Sequence, residues 1–329
     1  MESMTHAAAT ARQGGGKRFV RPDELPAFSL TPRSLRLLAH VARHKLIASD
    51  DLAALDGGSV QNAKRELRTL WAHGYLMRPE AQLWSVAITG PQPMVYGLTN
   101  KGARLLHSHG HRIDLDIDWS ENCRRSGVAF IDHAVARSRL MSGVEVAVRG
   151  LDDVDLLHAH EVIALAPPAT RKARQPLKWE AKVSDNGKMV PASVIADDLF
   201  ALRFANETES YFLVEIDRGQ MPVRRHTNAE EEVGGKRRLR THYKHKLATY
   251  WHGWKQGRPL QQFGVEQLRV LTVTTSVERI RTMLDALREV TGGKGSELFL
   301  FIEEEALRKA NPLEALWITG KGRECRLTE

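Results

Sequence analysis

The sequence predicts an α+β protein of two domains: a small helical unit with an extended hairpin, then an α/β unit around a central mixed sheet. Three observations carry this. The chain has 329 residues, more than the roughly 250 to 300 at which a single core stops growing. Residues 29–110 read as three helices, a hairpin and a short helix, each short enough to share one small core. Beyond residue 128, helical and strand-like runs alternate, the pattern of an α/β domain.

Composition narrows the class of function. Lys and Arg number 48 against 40 Asp and Glu, a net charge of +8, and clustered cations attract phosphate backbones at long range. Cys123 and Cys325 are the only cysteines, which excludes a disulfide framework and a cysteine-rich zinc site and fits a reducing cytoplasm. No apolar run reaches the roughly 20 residues that span a bilayer, and the N-terminus has no apolar signal core. A cytoplasmic protein with a polyanionic partner and no membrane is expected.

Residues 1–24 mix Ala, Thr, a glycine run and scattered cations without periodicity, as a flexible basic arm does. Residues 25–112 form the first domain. Helix Thr31–His44 carries Leu35, Leu38 and Val41 at helical spacing, Ile47–Leu55 supplies a second, and Ser59 opens a third. In the third, Val60, Ala63, Leu67, Leu70 and Trp71 form the buried stripe. Gln61, Asn62, Lys64, Arg65 and Arg68 face the other way, with side chains suited to base edges and phosphates. Gly74 ends that helix, and two extended arms around Thr89-Gly90-Pro91 follow. Element order and face chemistry resemble the winged helix-turn-helix family, whose third helix enters the major groove. That resemblance implies double-stranded DNA as the partner.

Residues 113–127 are polar and read as a linker; residues 128–329 form the second domain. It opens with helix Val128–Met141 and later holds a long basic helix, Lys236–Trp254, strand Leu268–Thr275, helix Val277–Val290 and strand Glu297–Ile302. Two strand-like runs carry carboxylates where apolar residues are expected: Val194–Phe204 contains Asp197-Asp198, and Tyr211–Arg218 contains Glu215-Ile216-Asp217. Neighbouring strands can bring Asp197 and Glu215 together, and period-two alternation puts Glu215 and Asp217 on one face. Clustered carboxylates repel unless a cation neutralises them, and a hard cation such as Mg²⁺ or Mn²⁺ takes oxygen ligands. Asp197, Glu215 and Asp217 are therefore the candidate metal ligands.

The order of these segments resembles the PD-(D/E)XK nuclease superfamily. Ile195–Phe200, Phe212–Gly219 and Tyr243–Tyr250 together are similar to the replication-relaxation family of plasmid and mobile-element proteins. The resemblance implies a winged helix followed by a restriction-endonuclease-like domain. It matches Asp197 and Glu215 to the two acidic motif positions, so the candidate catalytic residues are Asp197, Glu215, Asp217 and Lys246. Two departures stand out. Ala196 replaces the usual proline, and Asp217 occupies the place of the usual lysine. Tyr243, Lys246, Leu247 and Tyr250 share one helical face, which makes Lys246 the cation expected to reach the acidic site, either as a catalytic group or as a salt bridge.

Other features have plainer readings. His107, His109 and His111 read as a solvated loop, and Tyr243 and Tyr250 as core rather than as nucleophiles. The run Lys236-Arg237-Arg238 reads as a solvated face or a contact to DNA backbone. Two functions follow from the resemblance. One is a metal-dependent DNA-nicking protein acting at a plasmid or mobile-element origin with replication or transfer proteins. The other is a noncatalytic DNA-binding regulator or initiator with a degenerate nuclease fold.

Overall fold

The computed structural model describes residues 18–83, 92–185, 188–224, 230–233, 236–239 and 242–329. The chain divides into two compact units, Met1–Val146 and Ala147–Glu329.

In the first unit, α1 (Pro32–His44) starts at Thr31, whose hydroxyl accepts from the Ser34 N–H at 3.1 Å while the Ser34 hydroxyl accepts from the Thr31 N–H. This reciprocal cap satisfies two of the donors that every helix start leaves open. Leu37, Leu38 and Val41 are fully buried. Strand β1 (Leu46–Ala48) follows, then α2 (Ser49–Asp56), α3 (Val60–Ala72), β2 (Leu76–Met77), β3 (Val95–Leu98), α4 (Asn100–Ser108), α5 (Trp119–Arg124) and the start of α6 (Val128–Val148). The strands form an antiparallel sheet in the order β1-β3-β2. Ile47 was expected at a helix start; instead it is buried in β1, pairing with Tyr96, because its β-branched side chain fills the core between sheet and helices. The stretch read as a linker contains α5, which buries Cys123 against Leu46 and Val95. The tip expected at Thr89-Gly90-Pro91 lies outside the described residues.

The second unit holds β4 (Val154–His158), α7 (Ala159–Leu165), α8 (Pro168–Arg171), β5 (Lys178–Asp185), β6 (Lys188–Ile195), β7 (Asp198–Phe204), β8 (Glu209–Ile216), β9 (Glu230–Val233) and β10 (Lys236–Leu239). Then come α9 (Tyr243–Lys255), α10 (Arg258–Phe263), β11 (Arg269–Thr274), α11 (Val277–Val290), β12 (Phe299–Glu303), α12 (Glu304–Lys309), β13 (Trp317–Thr319) and β14 (Glu324–Cys325). Seven strands form one mixed sheet in the order β14-β13-β12-β11-β8-β7-β4. Its centre, β8-β11-β12, is parallel, as the α11 crossover requires, and the flanking pairs are antiparallel. Strands β5 and β6 make a separate two-stranded ribbon.

Two sequence expectations change here. Val194–Phe204 is not one strand: its first part pairs with β5 and its second with β8, and the chain changes sheets at Ala196-Asp197. The basic helix begins at Tyr243, with His242 as its N-cap, and residues 236–239 instead pair with β9 as a strand. Helix α9 presses Tyr243, Leu247 and Tyr250 into the core with Met283 and Leu287 of α11. Gly253 allows the ribbon to approach α9 closely, since a Cβ there would stand 2.2 Å from the Trp179 Nε1.

Candidate functional site

Two surfaces of the sequence reading can be placed. In the first unit, Ser59 caps α3 through a hydroxyl that accepts from the Asn62 N–H. Ala63, Leu67, Leu70 and Trp71 are buried, whereas Gln61, Asn62, Lys64, Arg65 and Arg68 are all exposed. The polar face thus stands in solvent as periodicity predicts. Val60, assigned to the buried stripe, is half exposed, because it sits at the first turn where the helix projects beyond the core. Lys64 pairs with Asp50 at 2.6 Å across the α2–α3 corner, with both side chains solvated.

In the second unit, the strand ends bring Asp197 to Glu215. The Asp197 N–H donates to the Val214 carbonyl at 2.9 Å, and its carboxylate accepts from the Ile216 N–H at 2.8 Å. Glu215 is 1% exposed. Each of its carboxylate oxygens has a donor from α9: the Lys246 ammonium reaches one at 2.5 Å and the Tyr250 hydroxyl reaches the other at 2.5 Å. Lys246 keeps a quarter of its side chain in solvent, so its stem lies along the apolar face while its head reaches the acid. Burial lifts the Glu215 carboxyl above its ordinary value; Lys246 opposes the rise and Asp197 adds to it. Burial pulls Lys246 down, yet attraction to Glu215 outweighs it and the ammonium is held above its usual value. Both directions fit an ion pair whose acid is buried deeper than its base.

Asp217 shares the face but not the partners. It lies just past β8, where its N–H donates to the Val273 carbonyl, and α11 supplies Arg279 as a two-pronged clamp, one prong at 2.7 Å. The Thr274 hydroxyl adds a third donor at 2.6 Å. Tyr243 and Thr272 share a hydrogen bond at 2.7 Å between the two acids. Three carboxylates therefore face two cations and two buried tyrosines.

Sequence reasoning placed Asp197, Glu215 and Lys246 together but missed Tyr250, Arg279 and the threonines as polar partners. A signal existed: Thr272 and Thr274 alternate on one strand face, and Arg279 is the third residue of a helix opened by Ser276. The side chains of Lys236, Arg237 and Arg238 lie outside the described residues.

The profile of the replication-relaxation family matches residues 38–249, the greater part of the chain and all four acidic and basic site positions named from sequence. The chain belongs to the replication-relaxation family. No curated protein and no solved structure matches it. In the arrangement seen, protein donors engage the acidic positions. Both Glu215 oxygens are taken by α9 donors, and Asp217 is drawn to Arg279. Among the described residues, no group of three or more acid, imidazole or thiol side chains converges to hold an ion. No helix among them is long and apolar enough to cross a membrane.

Proposed function

We propose that this replication-relaxation protein binds duplex DNA of a plasmid or integrative element, as a regulator or initiator of its replication or mobilisation. In this reading the first unit is a winged helix-turn-helix with α3 in the major groove. The second is a restriction-endonuclease-like core whose acids are neutralised from within. The exposed row of Gln61, Asn62, Lys64, Arg65 and Arg68 carries the DNA assignment: amide and guanidinium side chains on one helix face pair with base edges and phosphates. Fluorescence anisotropy with origin duplexes tests it. Arg65→Ala and Arg68→Ala should weaken binding, each lost phosphate contact flattening the slope of log affinity against log salt by about 0.9. Unchanged affinity and slope would reject α3 as the reading element.

The Lys246–Glu215 contact beside Asp197 favours a second reading, a nicking nuclease whose lysine comes from the helix rather than the strand. Supercoiled plasmid with Mg²⁺ or Mn²⁺ separates the two. The noncatalytic reading expects no nicked product; nicking that disappears in Glu215→Gln establishes the nuclease.

A further inference from the structure

The ribbon carries a surface that the acidic site does not use. Alternation along β5 turns Trp179, Ala181 and Val183 inward, and sends Lys178, Glu180 and Lys182 outward at steps of about 6.7 Å. Beside this face run two adjoining concavities of about 550 and 500 Å³, which share Lys178, Glu180, Arg258 and Gln261 as walls. Arg174 lines the first alone and Lys182 the second alone. Among the lining residues four cations stand against one carboxylate, Glu180, which Lys178 holds below the usual carboxylate range.

The walls are held by polar contacts, buried or partly buried around Gln262 and exposed on the ribbon. Gln262 donates to the Pro176 carbonyl at 2.6 Å, accepts from Arg258 at 2.9 Å, and its own carbonyl accepts from the Thr170 hydroxyl at 2.5 Å. On the ribbon side, the Gln256 amide accepts from the Lys182 N–H at 3.1 Å and donates to the Lys182 carbonyl at 2.8 Å. The groove is therefore a preformed cationic channel. None of its lining residues is aromatic, so it offers no platform on which bases could stack, and amides and cations favour backbone phosphates instead.

We infer that this groove is a second nucleic-acid contact, a track for the DNA phosphate backbone that is indifferent to sequence and lies on a different unit from α3. The inference rests on the DNA-binding reading, yet the two fail separately. Arg174 and Lys182 are exposed and each lines a different one of the two concavities, so the full chain carrying Arg174→Ser with Lys182→Ser is the test, with Arg174→Glu/Lys182→Glu as its stronger form. Anisotropy is measured with a scrambled duplex and with an origin duplex, and thermal melts establish that each variant is folded.

The serine pair should flatten the salt slope by about 1.8, two contacts at about 0.9 each, and equally on both duplexes. The glutamate pair should lower affinity further. In contrast, the α3 substitutions should diminish the preference for the origin duplex. Wild-type affinity and slope in a folded serine pair overturn the track and leave the α3 reading standing. A reduced slope in the serine pair with no effect of the α3 variants supports the track and rejects α3. Binding of polyglutamate that the serine pair loses, with DNA binding unaltered, assigns the groove to an acidic protein partner and overturns the proposal.

Discussion

Replacing Lys246 by Met removes the cation that faces a carboxylate only 1% exposed. The apolar stem is kept in kind, so the loss is electrostatic. Breaking a fully buried pair from one side costs about 3 to 5 kcal/mol. Lys246 retains a quarter of its side chain in water, which screens part of the interaction and places the expected loss near the lower bound, about 3 kcal/mol. The sign with pH follows from the acid left behind. Lys246 is the main influence holding Glu215 down, so the variant's folded-state carboxyl rises further above its unfolded value. Its stability is then greatest below the ordinary Glu range and declines as pH rises through the raised folded value. The deficit against wild type therefore shrinks on acidification. Glu215→Gln in the Lys246→Met background removes the orphaned charge while Tyr250 can still donate to the amide oxygen, and most of the loss should return. Urea unfolding at pH 5.5 and pH 8, followed by hydrogen exchange along α9, measures both effects. A single variant within about 0.5 kcal/mol of wild type at pH 8, or a double variant as unstable as the sum of the singles, refutes the reasoning.

Asp51 is partly buried, with one carboxylate oxygen lacking a hydrogen bond and Arg139 at 3.8 Å, and desolvation lifts its carboxyl to about 6. Its contribution is complete below the ordinary Asp value and is lost as pH rises through about 6, a change of about 2 to 3 kcal/mol; Asp51→Asn should flatten the pH dependence of denaturant midpoints between pH 4.5 and 7.5. Gly253→Ala drives a methyl into the Trp179 indole and strains its hydrogen bond to the Thr249 carbonyl, so a loss of about 1 to 3 kcal/mol is expected in thermal melts. Calorimetry with Mg²⁺ and Mn²⁺ should give heats that are identical in wild type and Glu215→Gln; a binding isotherm abolished by the substitution contradicts internal neutralisation.

Much of the second unit's central face was legible because strand alternation and helical spacing act within a few residues. Glu215 and Asp217 sit two apart in the chain and duly share a face. Tyr243, Lys246 and Tyr250 fall at three and seven residues along one helix and duly face the sheet, Tyr243 at Thr272 of β11 and the other two at Glu215 of β8. Arg279 was hidden for the opposite reason: it is 62 residues from Asp217, and only the β8-β11 pairing and the crossover that follows bring them together. Residues 236–239 were misread for a different reason, since their pairing is local. Their cations suit a helix face as well as a strand, and only the hairpin partner at 230–233, a few residues upstream, decides between the two. Ala196-Asp197 misled differently, since a run of uniform strand character gives no local mark where it passes from one sheet to another.

The β5–β6 ribbon has two free edges, and both are blunted at one register. Lys182 stands opposite Pro191, which has no N–H to offer, while the Lys182 N–H and carbonyl go to Gln256. The two residues must therefore turn their backbone groups away from each other, toward the outer edges. On one edge a side-chain amide imitates the next strand; on the other, proline withholds the donor a next strand needs. A third strand, whether from another copy of the chain or from a misfolded neighbour, finds both groups taken on the Lys182 side and no donor on the Pro191 side at that point. The ribbon can accordingly stay two-stranded against α9, with edge-to-edge pairing opposed at that register.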